Sequence, residues 1–263
     1  MGARILILSA VLLLVCGNVC SADDERDFDL EALLETVLSV DRNQRDRLDQ
    51  VVFDAEYVEG ETKDDGEFEE KKRYVTKIYL TYQPDTTLFR REYLEYYKDG
   101  ELQSEEDLRK EAEKRREEKR KRNAGDIAMP ILAPLEPDNR PEYEITYVGV
   151  TEDDIDGYLC HHLRVAAREE KEGLINADYY FETTSFHLVK TEFSPAKLVK
   201  KALFKLKELN MTVAYRPFED DIWLPVRFDV FGKGRAAFLF GVGFEGTEYY
   251  RNPRISRKPT SDF

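Results

Sequence analysis

Apolar and polar residues follow a helical period in one early segment of the chain and a strand period in most of the remainder. Between Asp29 and Leu48, apolar side chains recur at helical spacing, namely at Leu30, Leu33, Leu34, Val37, Leu38 and Val40. This spacing predicts an amphipathic helix whose apolar stripe packs against another element.

From Val51 onward the pattern changes to period two, which predicts strands. Three strands are expected in the first half of the chain: Val51–Glu59, Glu67–Tyr82 and Thr87–Lys98. Turn signals at Asp64-Asp65-Gly66 and Lys98-Asp99-Gly100-Glu101 separate them. Short turns between successive strands indicate an antiparallel meander.

The second half of the chain predicts eight further short strands at even spacing. They are Tyr143–Val150, Tyr158–Arg168, Leu174–Thr183, His187–Ser194, Leu203–Tyr215, Ile222–Phe231, Arg235–Phe244 and Thr247–Ile255. We predict a hairpin turn at Gly232-Lys233-Gly234, and a bulge or bend at Gly241-Val242-Gly243. Even spacing favours one open sheet or barrel over βαβ units.

A charged segment at about residues 104–123 interrupts the strands. It opens with Ser104-Glu105-Glu106-Asp107 and closes with the basic residues Lys119, Arg120, Lys121 and Arg122. A serine cap, early acids and late bases predict a helix. Because the segment has almost no apolar stripe, we expect a solvated or mobile helical insertion. Its basic end is either a headgroup or partner contact, or simply a charged helix end.

Residues 1–22 have the pattern of a secretory signal peptide. Arg4 precedes the apolar run Ile5–Val15, and small residues lead to a cleavage site after Ala22. An uncleaved anchor is the alternative, but the run is short for a membrane span. A lipid anchor at a cysteine is less favoured, because Val15 and Val19 precede Cys16 and Cys20. We therefore expect a single domain, residues 23–263, that is exported to the periplasm.

Charge and cysteine content narrow the possible functions. The formal net charge of the 263 residues is −14, which argues against nucleic-acid binding because no positive field attracts phosphates. Removal of the signal peptide leaves Cys160 as the one cysteine, so no internal disulfide is possible.

Cys160-His161-His162 is the first candidate for catalysis or metal binding. A thiol beside a base is able to perform acyl chemistry. However, adjacent residues of a strand point to opposite faces, so that His162 shares a face with Cys160 and His161 does not. Zinc needs more donors than the one remaining histidine, His187, supplies. The acidic run at residues 152–156 lacks the spacing of a calcium loop. We expect a buried structural cysteine, no enzyme activity, no metal and no cofactor.

The late strands have an apolar face. Alternating positions carry Phe228, Val230, Phe238, Phe240, Val242 and Phe244. One helix and a proline-rich connection at residues 125–141 are little cover for such a sheet. An apolar hollow, the commonest kind of ligand site, is one expectation, and a filled core is the alternative.

Several local motifs accompany this order of segments: Gly157–Leu163, the hairpin of Ala177–Phe181 with His187–Glu192, and Asp221-Ile222-Trp223-Leu224-Pro225. Together, the order and the motifs resemble the periplasmic lipoprotein-carrier superfamily, which has the LolA/LolB-like fold. The resemblance implies a mostly β (α+β) fold. In it, a strongly curved antiparallel sheet forms an unclosed barrel, with helices covering the concave face. It also implies a hollow that holds lipoprotein acyl chains during outer-membrane sorting, although sensors share this fold.

Strand alternation within that fold predicts which side chains line the hollow: Phe53, Tyr57, Ile78, Leu80, Tyr147, Phe181, Phe228, Phe238 and Phe240. The expected function is non-enzymatic binding of lipid or acylated lipoprotein, with transient contact at a membrane surface. The alternative is an envelope sensor that docks a protein partner through a sheet edge or the charged helix.

Overall fold

The structure, a computed structural model, describes residues 29–62, 67–84, 86–121, 131–198, 200–201, 204–219, 221–236 and 240–259. Two α-helices, α1 (Leu30–Arg47) and α2 (Glu105–Lys121), accompany two short 3-10 helices, Ala133–Leu135 and Arg140–Glu142. The predicted signal peptide lies outside the described residues. Within these ranges no helix combines the length and the apolar character that a membrane crossing requires.

Twelve strands occur in the described residues. They are β1 (Leu48–Thr62), β2 (Phe68–Tyr82), β3 (Thr87–Lys98), β4 (Glu101–Leu102), β5 (Tyr143–Val150), β6 (Cys160–Ala167), β7 (Ile175–Glu182), β8 (Leu188–Pro195), β9 (Lys200–Lys201), β10 (Phe204–Glu219), β11 (Ile222–Ala236) and β12 (Phe240–Arg257). Strands β1, β10, β11 and β12 are longer than predicted, whereas the boundaries of β2, β3 and β5 to β8 agree with the predicted ones within two residues.

All strands belong to one antiparallel sheet. Its order is β4-β3-β2-β1-β12-β11-β10-β8-β7-β6-β5, and β9 pairs with β10. The C-terminal strand β12 pairs with both β1 and β11 and so joins the N-terminal meander to the second half of the chain. Because β4 and β5 end the sheet without pairing to each other, the barrel is unclosed. The predicted fold class is confirmed.

The structure corrects the prediction for residues 232–234. Gly232-Lys233-Gly234 is not a hairpin turn but part of β11, where Gly232 pairs with Phe244 and Gly234 pairs with Val242. A Cβ atom on Gly232 would lie 2.3 Å from a ring carbon of Phe244, so glycine makes room for an aromatic ring from the neighbouring strand. The glycine signal therefore reflects close packing and not a turn.

The last two predicted strands are also corrected. Residues 235–236 belong to β11, whereas Phe240–Arg257 forms one continuous strand, β12. The β11–β12 ladder has no register shift, so Gly241-Val242-Gly243 is neither a bulge nor a break.

Helix α1 covers the inner face of the second half of the sheet. Asp29 caps the helix by accepting a hydrogen bond from the backbone N–H of Ala32 at 3.0 Å. The predicted apolar stripe is buried through Leu33, Leu34, Val37 and Leu38. It packs with apolar side chains from several strands, including Leu163, Val165, Tyr179, Phe181, Phe193 and Val213. These side chains form the apolar core beneath α1.

Helix α2 begins where the sequence predicts, but it is not freely solvated along its length. The hydroxyl of Ser104 accepts a hydrogen bond from the backbone N–H of Asp107 at 3.2 Å. One side of the helix then packs against the meander through Glu111, Ala112 and Arg115. Polar contacts replace the apolar stripe that the sequence lacks.

A buried ion pair lies on the same face of the meander. The guanidinium of Arg91 donates to Glu248 at 2.8 Å, and the Glu248 side chain is only 3% exposed. The hydroxyl of Tyr250 donates to the same carboxylate at 2.9 Å. Burial works against the charge of Arg91, but the Glu248 carboxylate outweighs it and raises the pKa of the guanidinium. The inner face is thus apolar under α1 and partly ionic in the meander.

Candidate functional site: a cavity beneath the first helix

A cavity of about 380 Å³ lies between α1 and the sheet, where the core under α1 meets the apolar core of the meander. Its walls are largely apolar: Val37, Val40, Leu80, Ile131, Leu132, Ala133, Phe181, Phe186, Leu188, Trp223 and Pro225. The polar lining residues are Asp41, Gln44, Arg45, Tyr82, Thr86, Thr87, Glu136, His187 and Tyr215. The volume falls within the range of small-molecule sites.

The C-terminal half of α1 is held over the cavity by Gln44. Its side-chain nitrogen donates to the carbonyl of Trp223 at 2.9 Å, and its oxygen accepts from the N–H of Trp223 at 2.7 Å. The ladder between β11 and β12 starts at Arg227. Gln44 therefore makes the two hydrogen bonds at Trp223 that a neighbouring strand would otherwise make.

The segment 131–136 covers the cavity beside α1, and we call these two elements the roof of the cavity. The hydroxyl of Tyr179, which rises from β7, donates to the carbonyl of Ile131 at 2.8 Å. Arg140 donates to the carbonyl of Leu135 at 2.7 Å and to the carboxylate of Glu35 on α1 at 3.0 Å. These bonds fix both parts of the roof to each other and to the sheet.

The turn between β7 and β8 supplies an aromatic wall. Phe186 has a φ of +59°, which is rare for a bulky residue, and its ring stacks on His161 with centroids 5.6 Å apart. The Glu182 carboxylate accepts a hydrogen bond from the N–H of Ser185 at 2.5 Å. Burial raises the pKa of Glu182, but hydrogen bonds from Ser185 and Thr184 outweigh burial and lower it. The ionised carboxylate thus stabilises the turn that presents Phe186.

One end of the cavity is polar. The Arg45 Nε atom lies 2.8 Å from the carboxylate of Asp41, one turn earlier on α1. Burial raises the pKa of Asp41 despite this cation, and the nearby Glu136 raises it further. Burial also raises the pKa values of Tyr82 and Tyr215, and the charge of Asp41 adds to both shifts. Asp41 and the two phenols all line the cavity.

His187 lies beside the apolar part of the cavity. Its ring stacks on Trp223 with centroids 5.5 Å apart, and its Nε2 atom lies 3.2 Å from the carbonyl of Asp221. Burial lowers the pKa of His187, although that carbonyl partly opposes the shift. The imidazole is accordingly neutral near pH 7, with its Nε2–H donating to Asp221.

The structure brings two of the nine predicted cavity residues to this site, namely Leu80 and Phe181. Phe53 and Ile78 lie in the filled core of the meander, and Phe228 packs against the core under α1.

Two other predicted residues make polar or aromatic contacts elsewhere. Tyr57 stacks on Tyr74 near α2, and burial raises the pKa of Tyr57 to about 12. The hydroxyl of Tyr147 lies 3.0 Å from His161 Nδ1. Phe238 lies outside the described residues, as does the side chain of Phe240.

The residues that sequence reasoning missed come mainly from α1 and from the start of β11. Val40, Asp41, Gln44 and Arg45 lie on the α1 turns above the cavity. Of these residues, only Asp41 and Arg45 had a recognisable pattern in the sequence, because their i, i+4 spacing is typical of an ion pair on a helix. Trp223, the one tryptophan of the chain, was noted only as part of a strand start.

Lys119, Arg120 and Lys121 of the predicted basic cluster belong to the end of α2, and Arg120 is not among the residues that line the cavity. Arg120 is exposed, whereas Arg122 and the side chains of Lys119 and Lys121 lie outside the described residues.

Cys160 is buried between strands and lacks the environment of a nucleophile. Its thiol donates to the carbonyl of Tyr158 at 3.4 Å. Burial, together with the carboxylates of Glu182, Asp154 and Asp156, raises the pKa of the thiol to about 12. A thiolate is therefore disfavoured at neutral pH.

Metal binding was the other candidate role of the segment Cys160-His161-His162. His162 Nε2 lies 2.6 Å from Asp178, which orients the imidazole. Over the described part of the chain, no three histidine, cysteine or carboxylate side chains converge as metal ligands.

Comparisons with known proteins identify similar structures only. No family model matches the chain, and no curated protein matches it. A putative outer membrane lipoprotein-sorting protein domain from Vibrio parahaemolyticus aligns with a TM-score of 0.38 and 10% identity, over 89% of this chain and 94% of that one. A DUF1329 family protein from Desulfovibrio piger aligns at 0.37 and 13%, over 86% and 92%.

A LolA superfamily protein from Nitrosomonas europaea aligns with a TM-score of 0.34 and 11% identity, over 85% of this chain and 95% of that one. The superfamily that the sequence resembles is thus represented among the similar structures. Because these TM-scores are low, the fold assignment rests on the strand order and register of the chain itself.

Proposed function

We propose that the chain is a non-enzymatic binding protein of the cell envelope that holds an acyl chain or another apolar ligand in the cavity beneath α1. The observation that carries this proposal is a cavity of about 380 Å³ with mainly apolar walls and a polar end. Such a combination is typical of sites for small amphiphilic molecules. The proposed ligands are lipids or acylated lipoproteins, as the sequence resemblance also implies.

Burial of a hydrocarbon chain provides the binding free energy. Each methylene group removed from water contributes about 0.8 kcal/mol. A chain of about twelve carbons therefore gains about 9 kcal/mol before the costs of association, which are several kcal/mol. The remaining gain of roughly 5 kcal/mol corresponds to submillimolar affinity without any covalent step. The buried thiol of Cys160 offers no nucleophile for such a step.

The proposed location is the periplasm, since residues 1–22 have the pattern of a removable signal. The first experiment is native purification of the protein from Asp23 onward, followed by mass spectrometry of lipids that copurify. Stoichiometric acylated species would support the proposal. A lipid-free protein that also fails to bind the neutral apolar dye Nile red would overturn it.

A cavity-filling variant makes the test specific. Val40→Trp places an indole at a half-buried residue of the cavity wall, whereas Ser39→Trp places the same side chain at the exposed neighbouring position. We expect Val40→Trp to lower dye affinity at least about tenfold and Ser39→Trp to leave it unchanged. Equal binding by both variants would place the ligand elsewhere.

A second candidate function is the docking of an envelope protein partner at a sheet edge. The edge strand β5 carries Val148 and Val150, which are 50% and 49% exposed, and Leu159 nearby is 47% exposed. An edge strand that is paired on one side only and carries exposed apolar side chains is able to accept a partner strand on its other side. If the β5 edge is the docking site, Val148→Lys should abolish partner capture while Nile red binding remains. Partner capture that is unaffected by Val148→Lys would favour the ligand-binding function of the cavity.

A further inference from the structure

We propose that the polar end of the cavity receives an uncharged head group that bears a carbonyl, such as an ester or amide, and excludes a free carboxylate. This inference rests on the proposed function of the cavity and specifies the class of ligand. It depends on two phenol hydroxyls and on the balance of charges around them.

The two phenols supply hydrogen-bond donors. Tyr82 and Tyr215 line the cavity from β2 and β10. Neither hydroxyl has a hydrogen-bond partner among the residues that the structure describes, whereas Tyr74, Tyr179 and Tyr250 each donate to a protein oxygen. Each hydroxyl is thus able to donate a hydrogen bond to a carbonyl oxygen of a ligand in the cavity.

Ionised phenols are not involved at neutral pH. Burial and the Asp41 charge hold the pKa values of both hydroxyls above the ordinary value, so that each keeps its proton. Both groups are therefore available as donors to an acceptor atom of the ligand.

The charges at this end disfavour an anion. Two carboxylates, Asp41 and Glu136, line the cavity, and the one guanidinium in the lining, Arg45, already lies 2.8 Å from Asp41. A ligand carboxylate would approach two like charges in a site where water screens them poorly. The net charge of −14 on the whole chain adds to this repulsion.

The test uses three ligands with chains of twelve carbons: 1-lauroylglycerol, its ether analogue 1-O-dodecylglycerol, and laurate at pH 8. Each is titrated against bound Nile red below its critical micelle concentration. 1-Lauroylglycerol has an ester carbonyl that 1-O-dodecylglycerol lacks, and laurate differs from both in its negative charge. We expect 1-lauroylglycerol to bind about tenfold more tightly than the ether, because each hydrogen bond contributes about 1 kcal/mol. We expect laurate to bind more weakly still.

Two pairs of variants assign the preferences to residues. In the double variant Tyr82→Phe and Tyr215→Phe, the ester should lose its advantage over the ether. The control is Tyr79→Phe, which removes a hydroxyl that instead bonds to Glu92 at 2.7 Å. In the double variant Asp41→Asn and Glu136→Gln, laurate should bind about tenfold more tightly. Its control, Asp46→Asn, removes an exposed charge from α1 away from the cavity lining.

The outcomes separate this inference from the proposed function. If laurate binds as tightly as the ester, or if the variants leave both ratios unchanged, the head-group inference is wrong while the cavity remains a lipid site. If none of the three ligands displaces Nile red and the dye itself does not bind, the proposed function fails as well.

Discussion

Helices α1 and α2 cover the same face of one sheet by different physical means. Leu34, Val37 and Leu38 of α1 are at most 1% exposed, and they pack into an apolar core. Among the described side chains of α2 the most buried apolar one is Ala112, and the contacts to the sheet are mostly ionic, between Arg115 and Glu59 and between Glu111 and Lys72.

Arg115 is the central contact of α2. It donates to both oxygens of Glu59 at 2.8 Å and to the hydroxyl of Tyr74 at 2.6 Å, while its guanidinium carbon lies 4.2 Å from the Tyr74 ring centre. Hydrophobic burial is insensitive to pH and weakly sensitive to salt, whereas ionic contacts depend on both. The attachment of α1, which covers the proposed ligand site, should therefore resist changes of pH and salt better than the attachment of α2.

The largest effect is expected from Leu38→Ala in α1. Removal of a fully buried leucine side chain should lower the free energy of unfolding by about 3 kcal/mol, from lost burial and the remaining cavity. Chemical denaturation measures this change. Ser39→Ala, at the exposed neighbouring position, is the control and should change stability by less than about 0.5 kcal/mol. A small effect of Leu38→Ala would mean that α1 is not held by its apolar stripe.

Arg115→Met tests the ionic cover. The Arg115 side chain is 24% exposed and that of Glu59 is 27% exposed, so the loss should fall between those of surface and buried pairs, about 1–2 kcal/mol. Arg116→Met, at an exposed position of α2, is the control and should be nearly neutral. Addition of Glu59→Gln to Arg115→Met should restore part of the stability, because it removes the carboxylate left without its partner. Strict additivity of the two substitutions would argue against a direct ionic contact.

This contrast also explains how far the sequence predicts the fold. The α1 stripe and the meander follow simple periods, and both are confirmed. The attachment of α2 to the sheet was not predictable, because a charged helix surface normally faces solvent. Its contacts depend on Glu59, Lys72 and Tyr74, which lie on distant strands. Similarly, the need for glycine at position 232 comes from the ring of Phe244 on the neighbouring strand, and a local sequence pattern does not reveal that contact.

The candidate site was less predictable than the fold for the same reason. Strand alternation identifies Leu80 and Phe181 as inward-facing residues, but it does not tell a filled core from a cavity. The space depends on where α1 and the segment 131–136 lie above the sheet, and hence on contacts distant in sequence. Gln44 is 179 residues from its partner Trp223.

Low pH should weaken the cover by α2 before that by α1. Burial raises the pKa of Glu111, but hydrogen bonds from Lys72 and Tyr74 outweigh burial and lower it. The stabilisation is therefore present above the unfolded pKa, near 4.5, and is lost as pH falls through the lower folded pKa. We expect Glu111→Gln to be destabilising by about 0.5 kcal/mol at pH 7 and less destabilising at pH 3. Glu106→Gln, at an exposed site of α2, is the control. A constant difference at both pH values would contradict the assignment.

The smallest expected effect is that of salt on the stability losses caused by Arg115→Met and Leu38→Ala. At 1 M NaCl the screening length falls to about 3 Å, which weakens the Arg115 contacts only in part because the groups are half-buried. The cost of Arg115→Met should therefore fall by a few tenths of a kcal/mol, about 0.3, between 0.05 M and 1 M NaCl. The cost of Leu38→Ala should stay constant, since the contacts of Leu38 carry no charge. Matched denaturation curves for both variants at the two salt concentrations measure this difference. If both costs changed by the same amount, salt would be acting on the unfolded chain, and α2 would not owe its position to ionic contacts.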